Sequence, residues 1–278
     1  MTYSVLISVY KSDSPAYLVA ALDSIYKNQI KKPDEIVIVE DGPVPDETAK
    51  VISAFSDSVH ASGAAKVKVT SLKENVGLGA ALKEGTKHCT CDYIFRMDTD
   101  DISVPERFKV LSEHLEAHPE IDALGSDIGE FTHNPDHVTR KRVCPAKHED
   151  ILKMSKTRNP MNHVSAVIRR DSLNKIGGYR ALPLIEDYYL WVRMLAHGMK
   201  LENINQTLVK VRLGDGFDHR RGSKDRVKSW KVLQRYMISH GMIGRFRAFL
   251  NMISIRLFVY SPSGLKHIIY GKLLRKHM

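Results

Sequence analysis

Cysteine, tryptophan and long apolar runs are all scarce in this chain. Its 278 residues include three cysteines and two tryptophans. Because Cys89, Cys91 and Cys144 form neither a disulfide-like series nor a metal-like one, we expect free thiols in a reducing compartment. No apolar stretch is long enough to cross a bilayer, and the residues after Met1 form a strand-like pattern rather than a signal peptide. We therefore predict a cytoplasmic protein.

Acidic residues are scarce in the last part of the chain. Residues 200–278 hold 17 Lys and Arg against 4 Asp and Glu, whereas the first 199 residues hold 25 against 28. This asymmetry predicts an anionic partner for the C-terminal segment, either a membrane surface or a nucleic acid. Because the basic residues alternate with large aliphatic ones, the pattern favours a helix on an anionic membrane, and we expect no nucleic-acid partner. Docking of residues 246–260 on the rest of the chain or in a dimer is the alternative.

The first hundred residues alternate between strand-like and helix-like patterns. Short β-branched runs at 4–10, 35–39, 67–72 and 93–97 predict strands, and the segments between them have helical spacing. Such alternation predicts βαβ units with right-handed crossovers. The fold class is therefore α/β, with a Rossmann-like, mainly parallel sheet flanked by helices.

Three carboxylates follow the fourth predicted strand. Asp98, Asp100 and Asp101 would repel each other and raise each other's pKa unless a cation lay between them. Mn²⁺ or Mg²⁺ would remove that penalty, although a helix-capping loop explains this stretch alone equally well. Asp41 and Asn75 also follow predicted strands. Because ligands bind at the carboxyl ends of parallel strands, their positions favour a metal–diphosphate site over a cap.

These motifs occur in a familiar order. They are Val5–Tyr10, Glu40-Asp41-Gly42, Asn75–Gly79, Met97–Asp101 and Glu186–Trp191. The ordered set resembles family 2 glycosyltransferases, inverting enzymes with the GT-A fold, and most closely the bacterial exopolysaccharide, capsule and O-antigen branch that includes the amylovoran-type transferases. The resemblance covers roughly the first 215 residues. It implies a GT-A catalytic domain at 1–222, with a nucleotide-binding half at 1–101 and an acceptor half at 102–222, followed by a basic amphipathic helical extension at 223–278.

The resemblance also implies roles for matching residues. Asp187 would be the general base, with Glu186 beside it near the acceptor. The nucleotide site would comprise Val9, Tyr10, Asp13, Asp41, Asn75, Gly79 and Asp98. The metal ligands would be Asp100, Asp98, Asp101 and His219. Contacts with the acceptor or with the donor diphosphate are assigned to His163, Arg220 and Arg221. The implied partners are a nucleotide-sugar donor, a saccharide or lipid-linked saccharide acceptor, and the inner face of the cell membrane, bound peripherally through residues 223–278.

The chemistry of inversion fits this division of roles. One carboxylate must take the proton of the attacking hydroxyl, while a cation or basic side chain stabilises the departing nucleoside diphosphate. Asp187 lies in the predicted first turn of a helix, where the helix dipole favours a charged carboxylate. We therefore expect the pKa of Asp187 to be lowered.

Other classes fit the sequence less well. A nicotinamide-binding domain would need a third glycine after Gly77 and Gly79, at the first strand rather than the third. A phosphatase with an aspartate nucleophile leaves Asp41 and Asp187 without a role. A nucleotidyltransferase acting on a sugar phosphate shares the sheet type and the metal carboxylates, and is the nearest enzymatic alternative. A non-enzymatic protein that binds nucleic acid or membrane through its basic C-terminal part is the alternative from a different class.

Overall fold

A computed structural model describes residues 1–214 and 224–261, together with the backbone of 276–277. Ten strands are present among these residues: β1 Tyr3–Val9, β2 Glu35–Glu40, β3 Lys66–Ser71, β4 Tyr93–Met97, β5 Ile102–Ser103, β6 Ala123–Phe131, β7 Arg140–Arg142, β8 Val167–Arg169, β9 Leu201–Arg212 and β10 Lys276–His277. The helices are α1 Pro15–Ile25, α2 Asp46–Ser62, α3 Leu78–His88, α4 Arg107–Ala117, α5 His148–Ser155, α6 Arg170–Lys175, α7 Glu186–Ala196, α8 Lys224–Ser239 and α9 Arg245–Tyr260, with a 3₁₀ turn at His163–Ser165.

The first four strands form the parallel half of the sheet, in the order β3-β2-β1-β4. Strands β1 and β4 are almost entirely buried, because helices cover both faces of this half. That double burial explains why their sequences are continuous apolar runs rather than alternating ones. The predicted α/β architecture is confirmed for this half, and the carboxyl ends of β1, β2 and β4 meet at one edge.

The second half of the sheet is mixed. β8 pairs antiparallel with both β4 and β6, β7 pairs antiparallel with β6, and β9 runs parallel to β6 and antiparallel to β5. β7 lies in a stretch, 131–143, that the sequence pattern leaves unassigned. The apolar run at 164–168 is divided between the 3₁₀ turn, which ends at Ser165, and β8, which begins at Val167.

Buried polar residues explain why the pattern is weak here. The nine residues of β6 are all buried, including Ser126 and Asp127. The backbone N–H of Ser126 donates to the Ser165 hydroxyl, and Asp127 accepts the N–H of Cys144. Such distant partners make polar residues acceptable in a core strand, but sequence periodicity does not show them.

The two C-terminal helices pack against α7. Leu233 and Met237 of α8 and Ala248 of α9 share a hydrophobic cluster with Tyr188 and Val192 of α7. The buried positions of α9 are Ala248, Asn251, Ile255 and Val259. Its larger apolar side chains are exposed instead: Phe246, Phe249, Leu250, Ile253, Leu257 and Tyr260. Among the described helices, none is both long enough and apolar enough to cross a membrane.

Candidate active site

The loop after β1 brings three of the predicted nucleotide-binding residues to the carboxyl edge. The carbonyl of Val9, the last residue of β1, accepts the N–H of Asp41 at 2.7 Å. The Asp13 carboxylate accepts the N–H of Tyr10 at 3.0 Å, which closes the loop. Burial raises the pKa of Asp13, and the charge of Asp98 adds to that rise. Asp13 therefore belongs to the same acidic group as the loop after β4.

Asp41 holds the turn that contains Asn75. Its two carboxylate oxygens accept the N–H groups of Val76 at 2.7 Å and Gly77 at 3.0 Å. Next to it, Gly42 has φ +85°, and a Cβ there would lie 2.6 Å from the backbone nitrogen of Asn75. Only glycine accommodates both the left-handed conformation and this close approach. Asp41 thus has a structural task in joining β2 to this turn, and its predicted contact with a nucleotide base stays a prediction.

Asp98 is paired with a buried arginine. The Arg96 guanidinium, at the end of β4, donates to the Asp98 carboxylate and also to the carbonyl of Leu6 at 3.4 Å. Sequence reasoning assigns Arg96 no role. Burial raises the pKa of Asp13 and of Glu186, and the charge of Arg96 opposes that rise at both carboxylates.

Asp101 is buried and is attached to the end of β9. Its carboxylate accepts the backbone N–H of Arg212 at 2.8 Å, and the Arg212 Nε donates to the carbonyl of Asp100 at 3.2 Å. Burial raises the pKa of Asp101 well above its ordinary value, and the charges of Asp100 and Asp98 raise it further. The repulsion expected within this stretch is therefore confirmed at Asp101.

The donor set suits a hard divalent cation. Among the described residues, no three His, Cys, Asp or Glu side chains converge as a ready metal site, because Asp98 faces Arg96 and Asp101 faces Arg212. Mg²⁺ and Mn²⁺ commonly use one or two carboxylates together with substrate phosphates. A cation at this loop would relieve the repulsion that raises the pKa of Asp101, so the residues present fit such an ion. The predicted ligand His219 lies outside the described residues, as do Arg220 and Arg221.

The carboxylate pair at the start of α7 comes from the other half of the molecule. One oxygen of Asp187 accepts the Asn159 amide at 2.6 Å, and the other accepts the N–H of Tyr188 at 2.7 Å. The expectation of a lowered pKa at Asp187 is wrong. Burial raises that pKa, and it outweighs the hydrogen bonds and the charges of Arg142 and Arg226, which act in the opposite direction.

Glu186 is close to the nucleotide-side turn. A Cβ on Gly79 would lie 3.3 Å from the Glu186 Cβ, so the first turn of α3 and that of α7 are in near contact. Burial raises the pKa of Glu186 to about 7, followed by the charge of Asp187 and then that of Asp98. A carboxylate with a pKa near neutrality is suited to exchanging protons at physiological pH.

His163 contacts two aromatic side chains, those of Tyr179 and Trp191. Its Nε2 is 2.9 Å from the Tyr179 hydroxyl, and its ring packs against Trp191. Burial, followed by the charge of Arg96, lowers the pKa of His163 well below its ordinary value. This direction favours the uncharged imidazole, which is suited to hydrogen bonding.

Several further residues of the site escape sequence reasoning. Arg96, Asn159 and Tyr179 each act through contacts with residues far away in the sequence. Arg142 and Arg226 lie near enough to Asp187 to lower its pKa. A buried charged residue inside an apolar strand, such as Arg96, is the one signal among these that the sequence offers. For the others the partner becomes visible only in three dimensions.

The class of protein follows from this arrangement. A parallel α/β half has an acidic carboxyl edge, and a second half supplies another carboxylate pair at the same site. This is the architecture of a GT-A glycosyltransferase. The model of the Glycosyl transferase family 2 domain matches residues 4–177. The chain belongs to this family and is a glycosyltransferase.

Relatives and solved structures agree with that assignment. The chain is 34% identical over 277 residues to the Escherichia coli UDP-Gal:alpha-D-GlcNAc-diphosphoundecaprenol beta-1,3-galactosyltransferase, with coverage of 99% of this chain and 98% of that protein. It is 32% identical over 271 residues to the amylovoran biosynthesis glycosyltransferase AmsE of Erwinia amylovora, with coverage of 97% and 98%. The S. aureus TarS 1-349 structure in complex with UDP-GlcNAc has a similar fold, with a TM-score of 0.68 at 17% identity and coverage of 98% of this chain and 76% of that chain.

Proposed function

We propose that this chain transfers a sugar from a UDP-sugar to a hydroxyl of a lipid-linked or growing surface saccharide, with inversion at the anomeric carbon. One observation carries the proposal. The Glu186–Asp187 pair adjoins the nucleotide-side turn at the carboxyl edge of the parallel half, since a Cβ on Gly79 would lie 3.3 Å from the Glu186 Cβ. Donor and acceptor chemistry can therefore meet there. The names of the E. coli and E. amylovora relatives supply the substrate classes.

The proposed reaction is a single displacement. The acceptor hydroxyl attacks the anomeric carbon, and its proton passes to the carboxylate of Asp187. The bond from that carbon to the diphosphate oxygen breaks, and UDP leaves with the electron pair. Asn159 and the N–H of Tyr188 hold the Asp187 carboxylate in a fixed orientation for this task.

Residues of the nucleotide side would hold the donor. Asp98, Asp100 and Asp101 would bind Mn²⁺ or Mg²⁺, and the ion would neutralise the charge that develops on the diphosphate. Val9, Tyr10, Asp13, Asp41, Asn75 and Gly79 would surround the nucleoside. By the family resemblance, His219 would be a further ligand of the metal, and Arg220 and Arg221 would contact the acceptor or the donor diphosphate.

Nucleotide binding tests the proposal directly. Titration of the full chain with UDP, in the presence of Mn²⁺ or Mg²⁺, should show saturable binding that weakens when the metal is chelated. A nucleotide-sugar screen with radiolabelled donors would then identify the sugar. If UDP does not bind with either metal, the proposal fails, and the family activity must use another nucleotide.

The exposed face of α9 supports a peripheral membrane location at the inner face of the cell membrane. Phe246 is 74% exposed and Leu257 is 69% exposed, and Arg245, Arg247 and Arg256 are exposed on the same helix. Large apolar side chains flanked by arginines are suited to an anionic lipid surface. Substituting Phe246 and Leu257 by serine should release the protein from phosphatidylglycerol vesicles and leave UDP binding unchanged. Unchanged vesicle binding would reject this location for α9.

A further inference from the structure

A second, basic cleft lies along α7 beyond the acidic site. It has a volume of about 430 Å³ and is formed where the ends of α6, α7 and α8 meet. Among the described residues that line it, none is acidic. Its polar side chains come from Lys175, Arg180, Arg193, His197, Tyr236 and His240. A cavity of this charge is suited to an anion.

Arg193 gives the cleft an unsatisfied donor. Its side chain is 1% exposed, and its Nη2 donates to the carbonyls of Ile176 at 2.8 Å and of Gly178. Its Nη1 is buried and has no hydrogen-bond partner among the described residues. An unpaired buried guanidinium N–H is costly, and phosphate oxygens are strong acceptors for it.

A second arginine and two histidine rings also line the cleft. Burial lowers the pKa of Arg193, and the neighbouring charge of Arg180 lowers it further, so an anion between them would relieve repulsion. The Nδ1 of His197 is 2.8 Å from the carbonyl of Arg193, and the Nδ1 of His240 is 2.9 Å from that of Tyr236. With each Nδ1 at a backbone carbonyl, only a doubly protonated ring has an Nε2–H to donate to an anion.

We propose that this cleft binds the diphosphate of the lipid-linked acceptor, an assignment that rests on the proposed function. The order of features along the chain matches such a ligand. Arg193 follows Asp187 by six residues on α7, which is about 9 Å along the helix axis. α8, which contributes Tyr236, leads on to α9 and its exposed apolar face. The acceptor hydroxyl would then lie at Asp187 and the diphosphate would bind in the cleft. The lipid would remain in the membrane.

Binding of geranyl diphosphate, a soluble lipid diphosphate without a sugar, tests the cleft. The measurement is calorimetric titration of the full chain in EDTA, which removes metal-dependent binding at Asp98–Asp101. The double variant Lys175→Gln, Arg180→Gln changes two exposed side chains that make no described hydrogen bond. We expect it to weaken geranyl diphosphate at least tenfold and to leave binding of UDP with Mn²⁺ unchanged. The matched control is Lys50→Gln, Lys109→Gln, which removes two exposed lysines from α2 and α4.

The outcomes distinguish a lipid diphosphate from a phospholipid headgroup as the ligand of the cleft. They also distinguish failure of this inference from failure of the proposed function. Equal affinity of wild type and double variant for geranyl diphosphate would overturn the inference. The double variant could instead lose binding to phosphatidylglycerol vesicles and keep its affinity for geranyl diphosphate. That result would also overturn the inference, and it would assign the cleft to a phospholipid headgroup. Absence of UDP binding in the wild type, together with cleft-dependent geranyl diphosphate binding, would reject the proposed function and keep the lipid-diphosphate site.

Discussion

The two acidic groups of the site are alike in sequence and different in their surroundings. Asp98–Asp101 is held by Arg96 and Arg212, and burial, followed by the charges of Asp100 and Asp98, raises the pKa of Asp101. Glu186–Asp187 is held by the amide of Asn159, and burial is again the first cause of the raised pKa values. Three carboxylates in one loop favour binding a cation, whereas a buried pair held by an amide is suited to accepting a proton. The same residue type therefore serves two tasks, according to what surrounds it.

The largest expected effect separates proton transfer from donor binding. Asp187→Asn keeps the shape of the side chain but removes its basicity. We expect kcat to fall by about 10²- to 10⁴-fold, the usual contribution of a general base. Binding of UDP with Mn²⁺ should stay within about twofold of wild type. Loss of UDP binding in this variant would mean that the two acidic groups are not divided as described.

Asp100→Asn makes the opposite test on the other acidic group. Here we expect metal-dependent UDP binding to weaken by about 10²-fold, because one hard oxygen ligand is lost. UDP binding measured in EDTA should not change and serves as the internal control. If Asp100→Asn lowered only kcat and left the metal dependence of UDP binding intact, the acidic loop would not be the cation site.

Glu186→Gln tests whether burial raises the pKa of the carboxylate at the start of α7. The pKa of Glu186 is raised from 4.5 to about 7, so between these pH values the folded protein holds a proton that the unfolded chain has released. The associated stability is complete below the unfolded value and is lost as the pH rises through about 7. Relative to wild type, the variant should therefore gain about 1–3 kcal/mol between about pH 4.5 and pH 8. Denaturant unfolding at several pH values measures this, and a pH-independent difference would contradict it.

The smallest expected effect concerns Arg226. Its charge lowers the pKa of Asp187, so Arg226→Gln should raise that pKa and shift the acid limb of the kcat profile towards higher pH. On the acid side of the profile we expect activity to fall by about threefold, with near-normal activity on its alkaline side. Arg235→Gln, an exposed position on the same helix, is the matched control. Identical profiles for the two variants would show that α8 does not influence the base.

The extent of successful prediction differs between the two halves of the sheet. The strands of the parallel half can be predicted from the sequence because β1, β2 and β4 are apolar runs, each followed by a turn, and parallel pairing brings their ends to one edge. The strands of the mixed half cannot be predicted in this way, because β6 buries polar residues whose hydrogen-bond partners lie tens of residues away. The same limit applies to the site, where Asp98 and Asp187 are identifiable from motifs but Asn159 and Tyr179 are not.

By itself the sequence determines the family, the order of the acidic motifs and the concentration of basic charge after residue 200. These properties follow from local pattern and composition, which tertiary structure cannot change. Only the tertiary structure decides the direction of the pKa shift at Asp187, since that depends on whether burial outweighs the helix dipole. It also decides which face of α9 is buried and that a cationic cleft surrounds Arg193. Burial and the approach of distant charges are properties of packing, and packing is set by the whole chain at once.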